Sequence, residues 1–452
     1  MLTLNTTSCL TEALGNAHGL HQDDLANQYA EKTSQAISRI FDRQNALPMT
    51  EWSVLGEQDE LFQSIHSYAQ SKQGQYDDVV ILGIGGSALG AKALLSALRP
   101  AFWNQLSSEA RNSQPRLHVL DNVDTDTTAS LLNHLHIERT LFLVISKSGG
   151  TIEPMSLLLL ALEKVNTTVG MDNLAKHLVV ITDPEKGLLR PYAEKHNLDV
   201  FDIPPNAGGR FSVFTPVGLL PAALCGINIL EILNGLKKAQ ATYSNTNYAA
   251  NPVSQAAAIH HAYYQQGKNI SVLMPYNTAL EFTADWFVQL WAESIGKAKN
   301  LDGETVNVGL TPVKAVGATD QHSQLQLFAE GPYDKVVTFI DVEQTHHTLP
   351  LPNVPEDFSP LSYLGGKTLH EVLRAECHGT QKSLTDAKRA NMTITLDKVT
   401  ESSYAELLYF FELLTAVTGA LFDIDPFNQP GVEASKINTK AILSQQQQPQ
   451  PV

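Results

Sequence analysis

The chain has 452 residues, enough for two or three domains at roughly 100 to 200 residues each. Its 31 basic and 47 acidic residues leave a formal charge of −16, which argues against nucleic acid or an anionic membrane as a partner and still permits a small basic pocket. Three widely spaced cysteines, Cys9, Cys225 and Cys377, show no metal-like spacing and fit a reducing cytoplasm. The first residues lack a secretory pattern, and no uninterrupted apolar stretch approaches the roughly 18 residues of a membrane span. A soluble, cytoplasmic protein is expected.

In chain order, residues 1–75 carry helical patterning with polar breaks near Gly56 and Gly74, and are read as a lead-in layer. Residues 79–83, Val-Val-Ile-Leu-Gly, predict a buried strand, followed by the turn Gly83-Ile84-Gly85-Gly86-Ser87 and a helix to position 98. Further strands are predicted at 117–120, 141–145, 178–182 and 200–203, with helical segments between several of them. Continuous Val/Ile/Leu strands alternating with helices indicate a parallel sheet covered on both faces, whose ligands bind at the carboxyl ends of the strands. After a polar stretch at 244–251 a second cycle begins. It has a helix to 266, a strand at 270–274, a helix at 281–295 and strands near 313–316 and 336–340. The expectation is an α/β fold with a lead-in at 1–75, one domain at 76–240, a second at 241–430, and a helix with a low-complexity, disordered tail at 431–452.

The most informative loop is Ser146-Lys147-Ser148-Gly149-Gly150-Thr151, between a predicted strand and an apolar helix-like run. A helix N-terminus offers unpaired N–H groups and a positive dipole end, so three hydroxyls, one ammonium and two glycines there suit a phosphate. The competing reading is a helix cap and nothing more. Lysine precedes the glycines, unlike the triphosphate-binding P-loop, so a singly esterified phosphate is the better target. The segment Gly83-x-Gly85-x-x-Ala88 formally matches a dinucleotide fingerprint. The confirming acid should lie about 20 residues on, and Asp121 is much further away. The glycines and Ser87 either receive a compact polar ligand or simply make a tight turn.

Candidates for chemistry follow. Gln289 and Glu293, four apart, share one face of a helix otherwise rich in aromatic and aliphatic residues, a setting that suits a general base. The alternative is an ordinary Glu293–Lys297 surface pair. Arg210, in Gly208-Gly209-Arg210-Phe211-Ser212 after the fifth strand, is placed to stabilise an anionic intermediate. His322 opens a helix-like segment among polar neighbours. The doublets His260-His261 and His346-His347 and the pair His134 and His136 lack an accompanying ligand cluster, so no catalytic metal is predicted. Lys436 follows the sharp break at Gln429-Pro430-Gly431 and is, on spacing alone, a solvated helix lysine.

Taken in order, Gly-Ile-Gly-Gly-Ser, Ser-Lys-Ser-Gly-x-Thr-x-Glu, Gly-Gly-Arg-x-Ser, Gln-x-x-x-Glu-Ser-x-Gly-Lys, Gln-His-Ser and Gln-Pro-Gly-Val-Glu-x-x-Lys resemble the glucose-6-phosphate isomerase family, from about residue 79 to 436. The resemblance implies two sugar-isomerase domains, each a mostly parallel sheet flanked by helices, and interconversion of glucose 6-phosphate and fructose 6-phosphate without a cofactor or metal. It implies Glu293 as the base moving a proton between C2 and C1 through an enediolate, with Arg210 steadying its charge. His322 and Lys436 would open the ring, with Glu153 orienting the histidine. Ser146, Lys147, Ser148 and Thr151 would hold the phosphate, and Gly86, Ser87, Gln289 and Gln429 would line the sugar. It further implies a homodimer whose active site is shared, the histidine coming from the partner. Gly150 departs from the family, which usually has threonine there. A sugar-phosphate sensor would have no need of Glu293, His322 and Lys436 together; another aldose–ketose isomerase, one also accepting mannose 6-phosphate, stays open.

Overall fold

Strands that are apolar at every position must be covered on both faces, and the computed structural model, which describes residues 2–44 and 48–445, meets that demand twice. The expected disordered tail, 446–452, lies outside the described residues. The amino terminus, expected to be helical, opens instead with strand β1 (Thr3–Asn5) before the helices Gln22–Ile40 and Asp59–Ser71. Strands β2 (Asp78–Leu82), β3 (Arg116–Leu120), β4 (Thr140–Ser146), β5 (Leu178–Thr182) and β6 (Asp199–Asp202) form one sheet in the order β3-β2-β4-β5-β6, with every pair parallel. Each lies within two residues of its expected position.

The second sheet uses β7 (Ile270–Pro275), β10 (Thr311–Lys314), β11 (Lys335–Gln344) and β12 (Asn391–Lys398) in the order β1-β12-β11-β7-β10. All its pairs are parallel except that of β1, the edge strand, which pairs antiparallel with β12. Between them, β8 (Lys297–Lys299) and β9 (Thr305–Val308) make a small antiparallel pair. The expected α/β class, with mostly parallel sheets flanked by helices, is what the chain adopts.

The period of two along each strand distributes side chains among three cores. Val79 and Ile81 of β2 join Val336 and Ile340 of β11 in one large core between the sheets. Val80 and Leu82 face a second core under the outer helices of the first sheet, and Val337 and Phe339 a third under those of the second. Through the large core runs the helix Glu401–Leu421, packed on Ile229–Tyr243, Pro252–Gln265 and Glu281–Ile295. By length and composition it could cross a membrane, but 89% of its apolar window is buried inside the protein. Neither this helix nor β12 is among the elements expected from the sequence. The helix is apolar nearly all round, so it lacks the one-sided stripe that marks a surface helix.

This helix carries Glu412, which is 0% exposed and has no partner for either carboxylate oxygen among the described residues. Burial pushes its carboxyl well above the ordinary carboxylate range. A raised native pKa is a stability contribution present at low pH and lost as pH climbs above about 4.3, because the unfolded chain ionises first. Glu412→Gln is therefore expected to match the wild type near pH 4 and to exceed it by about 1–3 kcal/mol at pH 8. Urea unfolding at the two pH values checks this, and parallel profiles would refute it.

Candidate active site

In the first sheet β2 comes first along the chain, β3 lies on one side of it and β4 on the other, so the connections diverge between β2 and β4. That crevice, at the carboxyl ends of the strands, is where doubly wound sheets bind ligands. The turn Gly83–Ser87 follows β2 and the segment Ser146–Thr151 follows β4, one on each side of it.

In the second loop the hydroxyls converge. Ser146 Oγ donates to Thr151 Oγ1 at 3.3 Å, Ser148 Oγ lies 3.1 Å from the same atom, and the N–H of Gly150 points to Ser148 Oγ at 3.4 Å. Thr151 is the N-cap residue of the helix Ile152–Val169, yet its side chain accepts no capping hydrogen bond. The hydroxyl cluster is thus not spent on the cap. Gly149 adopts φ +62°, and a Cβ there would meet the backbone N of Leu188 at 2.9 Å, so the loop needs glycine to lie against the segment after β5. Lys147 departs from the expected arrangement: its ammonium donates to the carbonyls of Pro205 at 2.7 Å and Ala207 at 2.8 Å.

The glycine turn is shaped by its neighbours. A Cβ on Gly86 would lie 2.1 Å from the carbonyl oxygen of Gly209, and one on Gly85 would lie 2.7 Å from Nε2 of Gln289. The backbone before Arg210 and the Gln289 amide occupy the space directly beside the turn, and Asp121 is paired with Lys92 at 2.5 Å. This arrangement does not favour a dinucleotide. Ser87, in the first turn of the helix Gly86–Leu98, is partly exposed.

Arg210 joins three segments. Its side chain is only 2% exposed; Nε donates to Ser294 Oγ at 2.7 Å, Nη1 to Glu293 Oε2 and Gln429 Oε1 at 3.4 Å each, and Nη2 to the carbonyls of Asn428 at 3.1 Å and Pro426. Burial lowers the guanidinium below its ordinary pKa, while Glu293 and Asp425 hold it up. Glu293 itself is 29% exposed and accepts a second hydrogen bond, from Gln289 Nε2 at 3.0 Å. It sits in the last turn of the helix Glu281–Ile295, whose Trp286, Phe287, Leu290 and Trp291 are buried. The alternative Glu293–Lys297 ion pair is not formed. Lys297 donates to the backbone carbonyls of Glu293 and, at 3.0 Å, Ser294, closing the helix C-terminus, and burial beside Arg210 pushes its ammonium down to about 8.

The other candidates stand apart within one chain. His322, at the end of the short 3-10 turn Thr319–His322, is exposed, and Glu153, at the start of the helix Ile152–Val169, is partly exposed. No hydrogen bond or ion pair among the described residues joins His322, Glu153 or Lys436 to Glu293 or Arg210. Lys436, on the exposed helix Glu433–Gln445, pairs with Glu433 at 2.7 Å. The histidine doublet is structural: His260 and His261 are buried, held neutral by burial, and His261 Nδ1 meets Tyr29 Oη at 2.9 Å. Sequence reasoning gives no role to Ser294, although it stands inside the Glu-Ser-x-Gly-Lys motif. It could not find the Pro426 and Asn428 carbonyls, since backbone acceptors leave no mark in a sequence.

The family model for phosphoglucose isomerase matches residues 26–452. A glucose-6-phosphate isomerase of Carboxydothermus hydrogenoformans is 43% identical over 418 residues, 92% of this chain and 90% of the relative, and one of Rubrobacter xylanophilus is 42% identical over 367 residues, 81% and 82%. Among solved structures, a hypothetical protein of Thermus thermophilus superposes with a TM-score of 0.87 at 33% identity, covering 98% of this chain and 100% of that one. A glucose-6-phosphate isomerase of Chlamydia trachomatis shares the fold, with a TM-score of 0.76 at 21% identity over 94% of this chain and 86% of that one. Motifs, sheet order and relatives converge: the chain belongs to the phosphoglucose isomerase family.

Proposed function

We propose that this chain interconverts glucose 6-phosphate and fructose 6-phosphate. The observation that carries the reading is the contact of Arg210 with Glu293 beside the crevice, a carboxylate able to take a proton next to a buried cation able to neutralise the charge that results. Ser146, Ser148, Thr151 and the N–H of Gly150 take the phosphate, whose remote binding energy fixes the sugar. Gly86, Ser87, Gln289 and Gln429 line the sugar. Glu293 removes the C2 proton, the enediolate forms against Arg210, and the proton returns at C1. His322, oriented by Glu153, and Lys436 serve the ring opening that precedes this step. Incubation with fructose 6-phosphate in deuterated water tests the reading: glucose 6-phosphate labelled at C2 is expected, and no conversion would overturn it.

The working unit in this proposal is a homodimer with a shared site. His322 is exposed, and among the described residues no hydrogen bond or ion pair joins it to Glu293, which supports its entering a partner's site. Exposed Leu349, Phe358, Leu361, Tyr363 and Leu369 form an apolar run in the chain, and the helix Glu433–Gln445 exposes Ile437, Ile442 and Leu443. A single-chain mass on sedimentation would count against it.

Gly150 offers a direct test of the phosphate loop. A Cβ there would find only the Ser148 carbonyl oxygen, at 4.0 Å, and its φ lies outside the left-handed region, so Gly150→Thr fits without strain. A hydroxyl added beside the phosphate is expected to lower KM by about 10- to 150-fold, from a charged hydrogen bond worth roughly 1.5–3 kcal/mol, with kcat little changed. An unchanged KM would place the phosphate elsewhere.

A further inference from the structure

We propose that Lys147 is a positioning residue, tying the phosphate loop to the segment that carries Arg210. The proposal rests on the isomerase reading and assigns this lysine a task other than holding the phosphate. Two of its three N–H donors are taken by the carbonyls of Pro205 and Ala207, and among the described residues no hydrogen bond joins the ammonium to Ser146, Ser148 or Thr151.

The segment it grips is also held by residues 50 and 51. The N–H of Glu51 donates to the Asn206 carbonyl at 3.1 Å, the N–H of Asn206 donates back to Glu51 Oε2 at 3.4 Å, and Thr50 bridges Ala207. Ala207 is 0% exposed. From it the chain runs through two glycines directly to Arg210, with the Gly209 carbonyl already against Gly86. Glycines resist bending poorly, so the register of Arg210 depends on how firmly residue 207 is held. Lys147 holds it from within the loop whose hydroxyls receive the phosphate.

The charge balance around the ammonium agrees. Burial lowers its affinity for a proton, Asp183 and Glu51 oppose that, and Lys186 adds to it. A desolvated ammonium satisfied by two carbonyls is expensive to redirect. Phosphate binding that orders Ser146–Thr151 therefore stiffens 205–207 and sets the guanidinium, so that binding energy from the far end of the substrate appears in kcat.

The test uses Lys147→Met, which keeps the aliphatic stem, and reads kcat for fructose 6-phosphate together with the competitive inhibition constant of inorganic phosphate. The expected result is a kcat lower by about 10- to 100-fold, as a misplaced catalytic group gives, with the phosphate constant unchanged. An unchanged kcat, or phosphate inhibition that weakens in parallel with kcat, would overturn the proposal. If the Met variant does not fold, Lys147→Gln, whose amide reaches one carbonyl, is judged by the same two constants. A wild-type enzyme with no activity on fructose 6-phosphate would instead sink the isomerase reading.

Discussion

Glu293→Gln is expected to lower kcat by about 10²–10⁴-fold, the usual contribution of a positioned base, and to abolish exchange of the C2 proton with solvent while leaving sugar-phosphate binding nearly intact. The geometry gives the reason. Glutamine is isosteric: its one amide oxygen can accept from Arg210 Nη1 in place of Oε2, and the Gln289 amide, whose Oε1 has no partner among the described residues, can turn to accept from the new NH2 that replaces Oε1. The buried positions of the helix Glu281–Ile295 are untouched, and so are the Lys297 contacts to its last carbonyls. Only the ability to take a proton is removed. Inhibition constants and isotope exchange on the same sample separate the two functions, and exchange at the wild-type rate would remove Glu293 from the mechanism.

Arg210→Met is expected to cost both activity and stability. The guanidinium satisfies Ser294 Oγ, Glu293, Gln429 and the carbonyls of Pro426 and Asn428. Its loss leaves these acceptors short and frees the 426–429 segment from the helix that bears Glu293. Losing a buried, multiply bonded cation costs about 3–5 kcal/mol, and losing one donor to a developing oxyanion costs about 10²–10³ in kcat. Arg210→Lys is expected to rescue neither, because one ammonium cannot span a side chain on either side and two carbonyls beyond. Urea midpoints and kcat at saturating substrate provide the check. A lysine variant with wild-type values in both would show that the planar fork is not what the site uses.

These two variants act on residues that are visible in different ways. Glu293 and Gln289 stand out by helical spacing on an apolar helix, and the structure puts them in contact at 3.0 Å. Arg210 is visible as a strand-end arginine after two glycines, but its partners are not, because three of its five hydrogen bonds go to residues 426–429, more than 200 positions away. Lys147 shows the opposite case. Its place in a hydroxyl-rich loop suggests a phosphate contact, and its ammonium turns instead to carbonyls supplied by a different strand-end segment. A side chain with four rotatable bonds is assigned by what lies within reach, which local spacing does not record.

The strands β2, β4, β5 and β7 and the stretch 336–340 of β11 were determined by the sequence alone, since each is mainly a run of β-branched, aliphatic and aromatic residues whose burial on both faces admits little else. So was the position of the hydroxyl-rich loop Ser146–Thr151 between β4 and a helix. Tertiary structure alone decided that β1 closes the edge beside β12, that the helix Glu401–Leu421 joins both sheets in one core, and that Arg210 meets Glu293, Ser294 and Gln429. The physical reason is common to all three. Edge pairing, all-round burial and hydrogen bonds to distant carbonyls depend on partners brought together by the completed fold, and periodicity records only which face of an element is apolar.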